Sequence, residues 1–322
     1  MLKMVLAVVS LTICSVACAR TAEGDPNRFG TDQWYLPVET GSDGVVKARL
    51  FVHEYGRGAP VVVLHGGWGA EHSYMRPLLL PYATGTRRIV FYDQRGSLRS
   101  MCNGCDRTVS AHIADLEALR QALGQPRLTI VAHSMGTWLA QAYAQQYPDR
   151  VEKLILLGAM RALGDGLDDA NRRAVAMSQR PEVLAQLAAA GIAPDANPER
   201  LPGRQYSDGW KIRFAGVNLF DPSLWRRLEG GRALYEQAVA NGIGETMGDR
   251  WDFRPTLARL PRPVDVIIGD HDYVDWGATR WTALAATPLS NVRLTVIPRA
   301  GHSGWFKQPE AFHRALEAAL RR

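Results

Sequence analysis

The sequence predicts an α/β fold, with a mostly parallel sheet flanked by helices and an inserted helical cap. Short apolar runs rich in Val, Ile and Leu recur along the chain, and segments of helical periodicity separate most of them. Such alternation is typical of a parallel sheet covered on both faces. The strand signals stop between about residues 161 and 260 and then resume, which predicts an insertion. A chain of 322 residues that is 46% hydrophobic can bury one large core.

Residues 1–19 have the pattern of a signal peptide. A weakly positive start is followed by a mostly apolar stretch over residues 4–17 and by small residues at the cleavage positions. We therefore expect an exported protein, periplasmic or secreted. Residues 15–18 are also a poor version of the bacterial lipoprotein cleavage box. A membrane-anchored lipoprotein with lipid on Cys18 is the alternative.

Charge and hydropathy exclude two classes of partner. No stretch beyond the leader approaches the roughly 18 to 20 continuous apolar residues of a membrane-spanning helix, so we expect no transmembrane segment in the mature chain. The formal net charge of +6 comes from 38 basic and 32 acidic residues scattered along the sequence. No basic run is long enough to follow a phosphate backbone, so nucleic acid is not an expected partner.

The strands are predicted in order along the chain. Val46 to Glu54 alternates as an antiparallel edge strand does, and a Val/Leu run from Pro60 to Leu64 ends in two glycines. Further apolar runs predict strands at residues 88–92, 128–132, 154–157, 264–268 and 294–297.

Two helices are predicted to pack on this sheet, one from Thr108 to Leu123 and one from Met135 to Tyr147. The domain organisation follows from the break in the strand pattern. We expect a core at residues 20–160 and 261–322 and a helical cap at residues 161–260.

Cys102 and Cys105 remain once the leader is removed. Two thiols three positions apart in an oxidising compartment favour a local disulfide. The same spacing occurs in thioredoxins, so a redox role is the alternative. That motif would begin a helix after a strand, whereas here it lies in a loop.

The segment from Ala132 to Gly136 stands where an apolar strand gives way to a helix, and it contains Ser134. A serine in such a sharp turn is a candidate nucleophile, and the positions two before and two after it must be small. The helix start also aims backbone N–H groups, including that of Met135, at a developing oxyanion. The alternative interpretation is that Ser134 is only a helix N-cap.

A second glycine-rich motif, His65 to Gly69, follows the strand that ends at Leu64. Its glycines let the backbone approach closely, so an N–H of Gly67 or Trp68 can complete an oxyanion hole with that of Met135. A glycine-rich turn without a chemical role is the alternative.

The candidate acid and base follow the last two predicted strands. Asp272 is the predicted acid, with Asp270 and Asp275 as competitors whose usual role is to cap a turn. His302 lies in the loop after the final strand and is the predicted base. The order Ser134, Asp272, His302 predicts acyl transfer through an acyl-enzyme, which needs no metal or organic cofactor.

With these motifs in order, the chain resembles the proline iminopeptidase group of α/β-hydrolase serine peptidases. The resemblance implies the α/β-hydrolase fold and a small peptide or amide substrate with a free amino terminus. It also implies that the Asp-Gln-Arg-Gly element braces loops beneath the oxyanion strand. It rests on the triad and on His65-Gly66-Gly67-x-Gly69, Tyr92-Asp93-Gln94-Arg95-Gly96-Ser97, Ser100 and Asp115-Leu116-Glu117-x-Leu119-Arg120.

The chain departs from that group at two places. The elbow reads Ala-His-Ser-Met-Gly where the group has Gly-Gly-Ser-Trp-Gly, and Trp68 replaces a proline. A carboxylesterase or lactonase acting on small hydrophobic esters is therefore the alternative, and a non-catalytic α/β-hydrolase binding protein is a more remote one. Peptidases of this group hold the amino terminus with cap carboxylates. The acids available in the predicted cap include Glu229, Glu236 and Glu245.

Overall fold

The computed structural model describes residues 29–165, 167–197, 200–229, 243–288 and 290–322. The predicted signal peptide at residues 1–19, including Cys18, lies outside the described residues, as does Glu236. Within the described ranges, no helix combines the length and apolar character needed to cross a membrane.

Eight strands of the described chain form one sheet, and two short strands form a separate ribbon. The strands are β1 (Thr31–Thr40), β2 (Val46–Gly56), β3 (Ala59–Leu64), β4 (Arg87–Tyr92), β5 (Leu128–Ser134), β6 (Val151–Ala159), β7 (Leu163–Asp165), β8 (Arg250–Asp252), β9 (Val264–Gly269) and β10 (Val292–Ile297).

Helices cover both faces of this sheet. They are α1 (Arg76–Leu79), α2 (Val109–Ala122), α3 (Met135–Gln146), α4 (Asp168–Ser178), α5 (Pro181–Ala189), α6 (Gly203–Asn218), α7 (Arg254–Arg259), α8 (Thr279–Ala285) and α9 (Pro309–Arg321). The two helices predicted from periodicity are α2 and α3. Thr108 lies just before α2 and caps it, since its hydroxyl accepts a hydrogen bond from the Ala111 N–H.

The sheet order is β1-β2-β4-β3-β5-β6-β9-β10. All neighbours from β4 to β10 pair in parallel, whereas β1 and β2 pair antiparallel with their neighbours. The mostly parallel sheet flanked by helices is therefore confirmed. Parallel strands end at the same edge, so the loops after β3, β5, β9 and β10 meet there.

Two expectations about the elements were wrong. The strand from Val46 is antiparallel but is not an edge strand, because β1 pairs along its outer side; the alternating pattern reports the chemistry of the two faces and not the position in the sheet. The segment 161–260 is not wholly helical either, since β7 and β8 pair antiparallel inside it. Three-residue strands are too short to produce a periodic signal.

Each buried strand sends alternate side chains to two separate apolar cores. On one face, Val62, Leu64 and Ile130 pack with residues of α2 and α3. On the other face, Val61 and Val63 pack with residues of α1, α5, α6 and α9. Because both faces of the sheet are covered by apolar side chains, these strands are continuous Val/Ile/Leu runs in the sequence. The polar side chains lie at the ends of the strands.

Candidate active site

Ser134 lies at the junction between β5 and α3, with φ of 53° and ψ of −127°. A non-glycine residue rarely adopts positive φ, and such strain of about 1–3 kcal/mol is typical of functional sites. The Ser134 hydroxyl makes no capping hydrogen bond to α3, so capping does not account for the serine. Its strained backbone presents the hydroxyl at the sheet edge.

Two glycines allow the loop after β3 to touch this junction. A Cβ on Gly66 would lie 2.6 Å from the Cβ of Ser134, and a Cβ on Gly136 would lie 2.5 Å from the carbonyl oxygen of His65. Real Cβ atoms do not approach other atoms so closely. The small residues predicted at these positions are therefore required by backbone contact between the two loops.

His302 and Asp272 form a buried pair at the same edge. The Nδ1 of His302 lies 2.9 Å from both carboxylate oxygens of Asp272, and the two side chains are almost completely buried. Asp272 also accepts a hydrogen bond from the Val274 N–H at 2.9 Å. The His302 Nε2 has no hydrogen-bond partner in the described part of the chain. No hydrogen bond therefore joins this nitrogen to Ser134 in the described structure.

The two competing aspartates have other partners. Asp275 accepts hydrogen bonds from the backbone N–H groups of Arg280 and Trp281 at 3.0 Å each, and so caps α8. Asp270 lies 2.6 Å from the Nδ1 of His271 and also accepts from a loop N–H. Of the three acids, Asp272 is the one that the structure brings to His302.

Of the predicted oxyanion donors, Gly67 and Trp68 lie in the loop that touches Ser134, and Met135 is the first residue of α3. The Gly66 N–H donates to the Tyr74 hydroxyl at 2.7 Å and is already used. Gly67 has φ of 64°, which turns the backbone directly after it. The Trp68 ring is buried 6.3 Å from that of Trp138, so only the backbone N–H of Trp68 can serve a substrate.

The Asp-Gln-Arg-Gly element, residues 93–96, holds this loop through hydrogen bonds to His65. The Gln94 side chain donates to the His65 carbonyl at 2.9 Å, and the Gln94 N–H donates to the His65 ring at 3.0 Å. Arg95 forms a two-pronged contact with Asp115 and reaches Glu39 at 2.9 Å. The element holds backbone positions and does not itself reach Ser134.

Glu71, His72 and Asp93 lie beneath the same loop, with potential ligand atoms within 4.8 Å of one another. The Arg99 guanidinium is 3.2 Å from Glu71 and 3.7 Å from Asp93, and His72 is 2.7 Å from Asp93. A positive charge therefore already occupies the place where a metal ion would bind. We interpret this group as a buried ion-pair network.

The predicted cap contacts the loop that carries His302, since the Asn218 carbonyl accepts a hydrogen bond from the Ser303 N–H at 2.9 Å. Glu229 and Glu245 are exposed. A cavity of about 730 Å³ lies beside α7 and α8, and none of Ser134, Asp272 and His302 lines it. This cavity is therefore separate from the candidate catalytic group.

The two cysteines predicted to form a disulfide lie in the loop between β4 and α2. Cys102 and Cys105 are joined by a disulfide there. The loop is attached to β2, since Cys102 forms an isolated bridge with Ala48. The disulfide thus closes a surface loop at some distance along the chain from the elbow.

Sequence reasoning did not find two side chains at the site. Tyr74 lies 2.7 Å from the His133 ring, and that ring packs against His302 and Trp305 with centroids 4.9 and 4.8 Å away. His133 is adjacent to Ser134, which is a usable signal. Tyr74 is 59 residues distant in sequence, and only folding brings it there.

A family model described as the alpha/beta hydrolase fold matches residues 59–309. The chain belongs to the alpha/beta hydrolase family. This α/β-hydrolase is also similar to several proline iminopeptidases. The proline iminopeptidase of Xylella fastidiosa is 42% identical over 115 residues, which are 34% of this chain and 36% of that enzyme. The match thus spans about a third of the length of that relative.

Other relatives align over most of the α/β-hydrolase. The proline iminopeptidase of Saccharolobus solfataricus is 24% identical over 88% of this chain and 92% of its own length. The solved structure of a proline iminopeptidase-related protein from Thermus thermophilus is 27% identical with a TM-score of 0.63, covering 90% and 97% of the two chains. An esterase from Thermogutta terrifontis has a TM-score of 0.62 at 22% identity, covering 90% and 98%, and shares the fold.

Proposed function

We propose that this α/β-hydrolase is a serine hydrolase with Ser134 as nucleophile, His302 as general base and Asp272 as the acid. The observation that carries the proposal is the buried His302–Asp272 pair, with a free His302 Nε2, at the sheet edge where Ser134 stands in a strained turn. Nucleophile, base and orienting acid are the three roles that acyl transfer requires. The proposal includes export of the mature enzyme, for which the sequence of residues 1–19 is the support.

In this mechanism the Ser134 oxygen attacks the substrate carbonyl while its proton passes to the His302 Nε2. Asp272 keeps the proton on Nδ1 and stabilises the imidazolium that forms. Backbone N–H groups of Met135 and of Gly67 or Trp68 hold the oxyanion. The imidazolium then protonates the leaving amine or alcohol, and water repeats the attack to release the acid. We expect the hydrogen bond between Ser134 and the His302 Nε2, which this step requires, to form when substrate binds.

For the substrate, we propose a small peptide or amide whose N-terminal residue is released, as in proline iminopeptidases. A proline iminopeptidase at 24% identity and a proline iminopeptidase-related protein at 27% identity each align over about nine-tenths of the chain. The motif of the loop after β3 supplies the proposed oxyanion donors Gly67 and Trp68, the motif of residues 93–96 holds that loop in place, and neither lies in the predicted cap. They therefore support the chemistry more strongly than the choice of acyl group.

A carboxylesterase or lactonase is the second candidate. The elbow from Ala132 to Gly136 departs from the peptidase pattern, and the described cap acids Glu229 and Glu245 are exposed. An enzyme without a carboxylate to bind a free amino terminus would favour neutral esters. This alternative keeps the same triad and changes only what the cap recognises.

The test compares the purified mature chain on a proline arylamide and on a short-chain aryl ester. Ser134→Ala is the inactive variant, and Ser110→Ala, at an exposed position in α2, is the matched control. We expect arylamide turnover that Ser134→Ala abolishes and Ser110→Ala retains. Serine-dependent ester turnover alone would assign the protein to the second candidate. Absence of serine-dependent turnover, together with no labelling of Ser134 by a fluorophosphonate, would favour the non-catalytic alternative.

A further inference from the structure

We propose that Tyr74 and His133 form a positioning bridge between the loop carrying the oxyanion donors and the loop carrying His302. This inference rests on the proposed serine hydrolase function and adds two residues to it. The bridge runs from the Gly66 N–H through the Tyr74 hydroxyl and the His133 ring to the carbonyl oxygen of His302. Its three contacts measure 2.7, 2.7 and 3.3 Å.

With a neutral His133 ring, the donors and acceptors in the bridge determine one arrangement of protons. The Tyr74 oxygen accepts from the Gly66 N–H, so its single proton is available to the Nδ1 of His133. Nδ1 must then be unprotonated, and Nε2 carries the ring proton. That proton is donated to the His302 carbonyl at 3.3 Å. When His133 is neutral, each donor in the bridge therefore faces an acceptor.

The surroundings keep His133 neutral. Burial first, and then the neighbouring His302, hold the pKa of His133 well below its ordinary value. Burial likewise raises the pKa of Tyr74, so its hydroxyl keeps its proton. A neutral His133 also places no second positive charge beside the imidazolium that His302 becomes during the reaction.

The bridge connects three segments that are distant in sequence. Gly66 follows β3, His133 is the last residue before Ser134 in β5, and His302 follows β10. The loop after β3 carries the proposed donors Gly67 and Trp68, the junction of β5 with α3 carries the nucleophile, and the loop after β10 carries the base. Misplacement of about 1 Å between such groups can cost roughly 100-fold in rate. We therefore assign Tyr74 and His133 as positioning residues.

The experiment measures how fast Ser134 reacts with a fluorophosphonate, a probe that needs the triad and the oxyanion hole but no particular substrate. The variants are Tyr74→Phe, His133→Phe and the double variant, all of which keep the aromatic packing. The fraction labelled at the end point counts correctly folded protein, and the rate constant reports positioning. If His133→Phe does not fold, His133→Gln takes its place with the same criteria.

The matched control is Tyr82→Phe. Tyr82 also bonds a histidine, with its hydroxyl 2.9 Å from the Nδ1 of His313, but on helix α9 and away from the site. We expect this variant to label at the wild-type rate. A loss of rate there as large as that of Tyr74→Phe would overturn the inference, because it would mean that any buried Tyr–His bond has the same effect.

We expect each single bridge variant to label at least about tenfold more slowly than wild type, with an unchanged end point. On a substrate that the enzyme turns over, kcat should fall while KM stays within about twofold. The double variant should be no slower than the slower single variant, because both remove one connection. Single variants with wild-type rates, or effects that multiply, overturn the inference. A wild-type chain that is not labelled overturns the proposed function as well.

Discussion

At the scale of single residues, the site depends on backbone approaches that only particular side chains permit. Gly66 and Gly136 stand where a Cβ would meet Ser134 or the His65 carbonyl at 2.6 and 2.5 Å. Ser134 itself is held at positive φ. Strain of this kind is retained only where surrounding contacts enforce it. The loop after β3 and the first turn of α3 supply those contacts here.

The choice among three aspartates gives a prediction at the same scale. Asp272→Asn should lower kcat by roughly 10³- to 10⁴-fold with little change in folding, because an amide no longer holds the proton on Nδ1 of His302. Asp270→Asn should retain activity within about tenfold, since its partners are His271 and a loop N–H. Steady-state kinetics of both variants check this. The reverse ranking would reassign the acid to Asp270.

At the scale of elements, helices α2 and α3 are joined by one carboxylate. Glu117 on α2 accepts hydrogen bonds from Arg120 and from the Tyr143 hydroxyl on α3, each at 2.9 Å. The Arg120 hydrogen bond is the largest influence and lowers the pKa of Glu117 to about 2. This contact orients α3, whose first turn carries Met135 beside the nucleophile.

A pH-dependent stability difference follows from Glu117. A carboxyl group with a lowered pKa stabilises the fold above its unfolded pKa of 4.5 and loses that contribution as pH falls through about 2. Glu117→Gln should therefore lower the free energy of unfolding by about 1–2 kcal/mol at pH 7 and by less at pH 3. Urea unfolding at the two pH values measures the difference.

The control for that prediction is Glu310→Gln on α9. Glu310 is also paired on a helix, with Arg314 at 4.0 Å, but its side chain is 91% exposed. We expect a change of less than about 0.5 kcal/mol at either pH. A Glu117 effect as small as this, or one that does not shrink at low pH, would contradict the role assigned to Glu117.

At the scale of the whole molecule, Arg161 connects the segment after β6 to the loop that carries the acid. Its Nε donates to the Val274 carbonyl at 2.9 Å, and it pairs with Asp169 on α4. Val274 in turn donates its N–H to Asp272. The buried Arg161 guanidinium is thus one link between the predicted cap and the predicted triad, beside the contact of Arg173 with the Tyr273 carbonyl.

Removing the charge of Asp169 tests this link. The Arg161 hydrogen bond, followed by the charges of Arg161 and Arg173, holds the pKa of Asp169 well below its ordinary value. The stabilisation is thus present above pH 3.8 and is lost as pH falls below it. Because the Asp169 side chain is 35% exposed, solvent screening limits the expected loss in Asp169→Asn to about 1 kcal/mol at pH 7.

Thermal unfolding and the fluorophosphonate labelling rate together check the Asp169 prediction. We expect a slower labelling rate in Asp169→Asn, since the acid loop loses part of its support. Asp208→Asn is the control, because Asp208 pairs with an Arg204 side chain that is 88% exposed. Equal behaviour of the two variants would show that the Arg161 connection does not reach the acid loop.

By itself, the sequence determined the fold class, most of the strands, and the order of Ser134, Asp272 and His302. Apolar runs, glycine pairs and the junction of a strand with a helix are local patterns, and local patterns are visible in a sequence. The sequence also ranked Asp272 ahead of Asp270 and Asp275. It could not show their partners, because the three acids lie within six residues of one another.

Only the tertiary structure decided which strand forms the edge, where the short β7–β8 ribbon lies, and how Tyr74 meets His133. Strand β1 pairs with the outer side of β2 through backbone hydrogen bonds. Backbone pairing does not depend on which side chains are present, so the sequence pattern does not show which strand has a neighbour on that side. Tyr74 reaches the elbow across 59 residues of intervening chain. Contacts of this kind depend on the sheet order, which brings the ends of parallel strands together regardless of their distance in sequence.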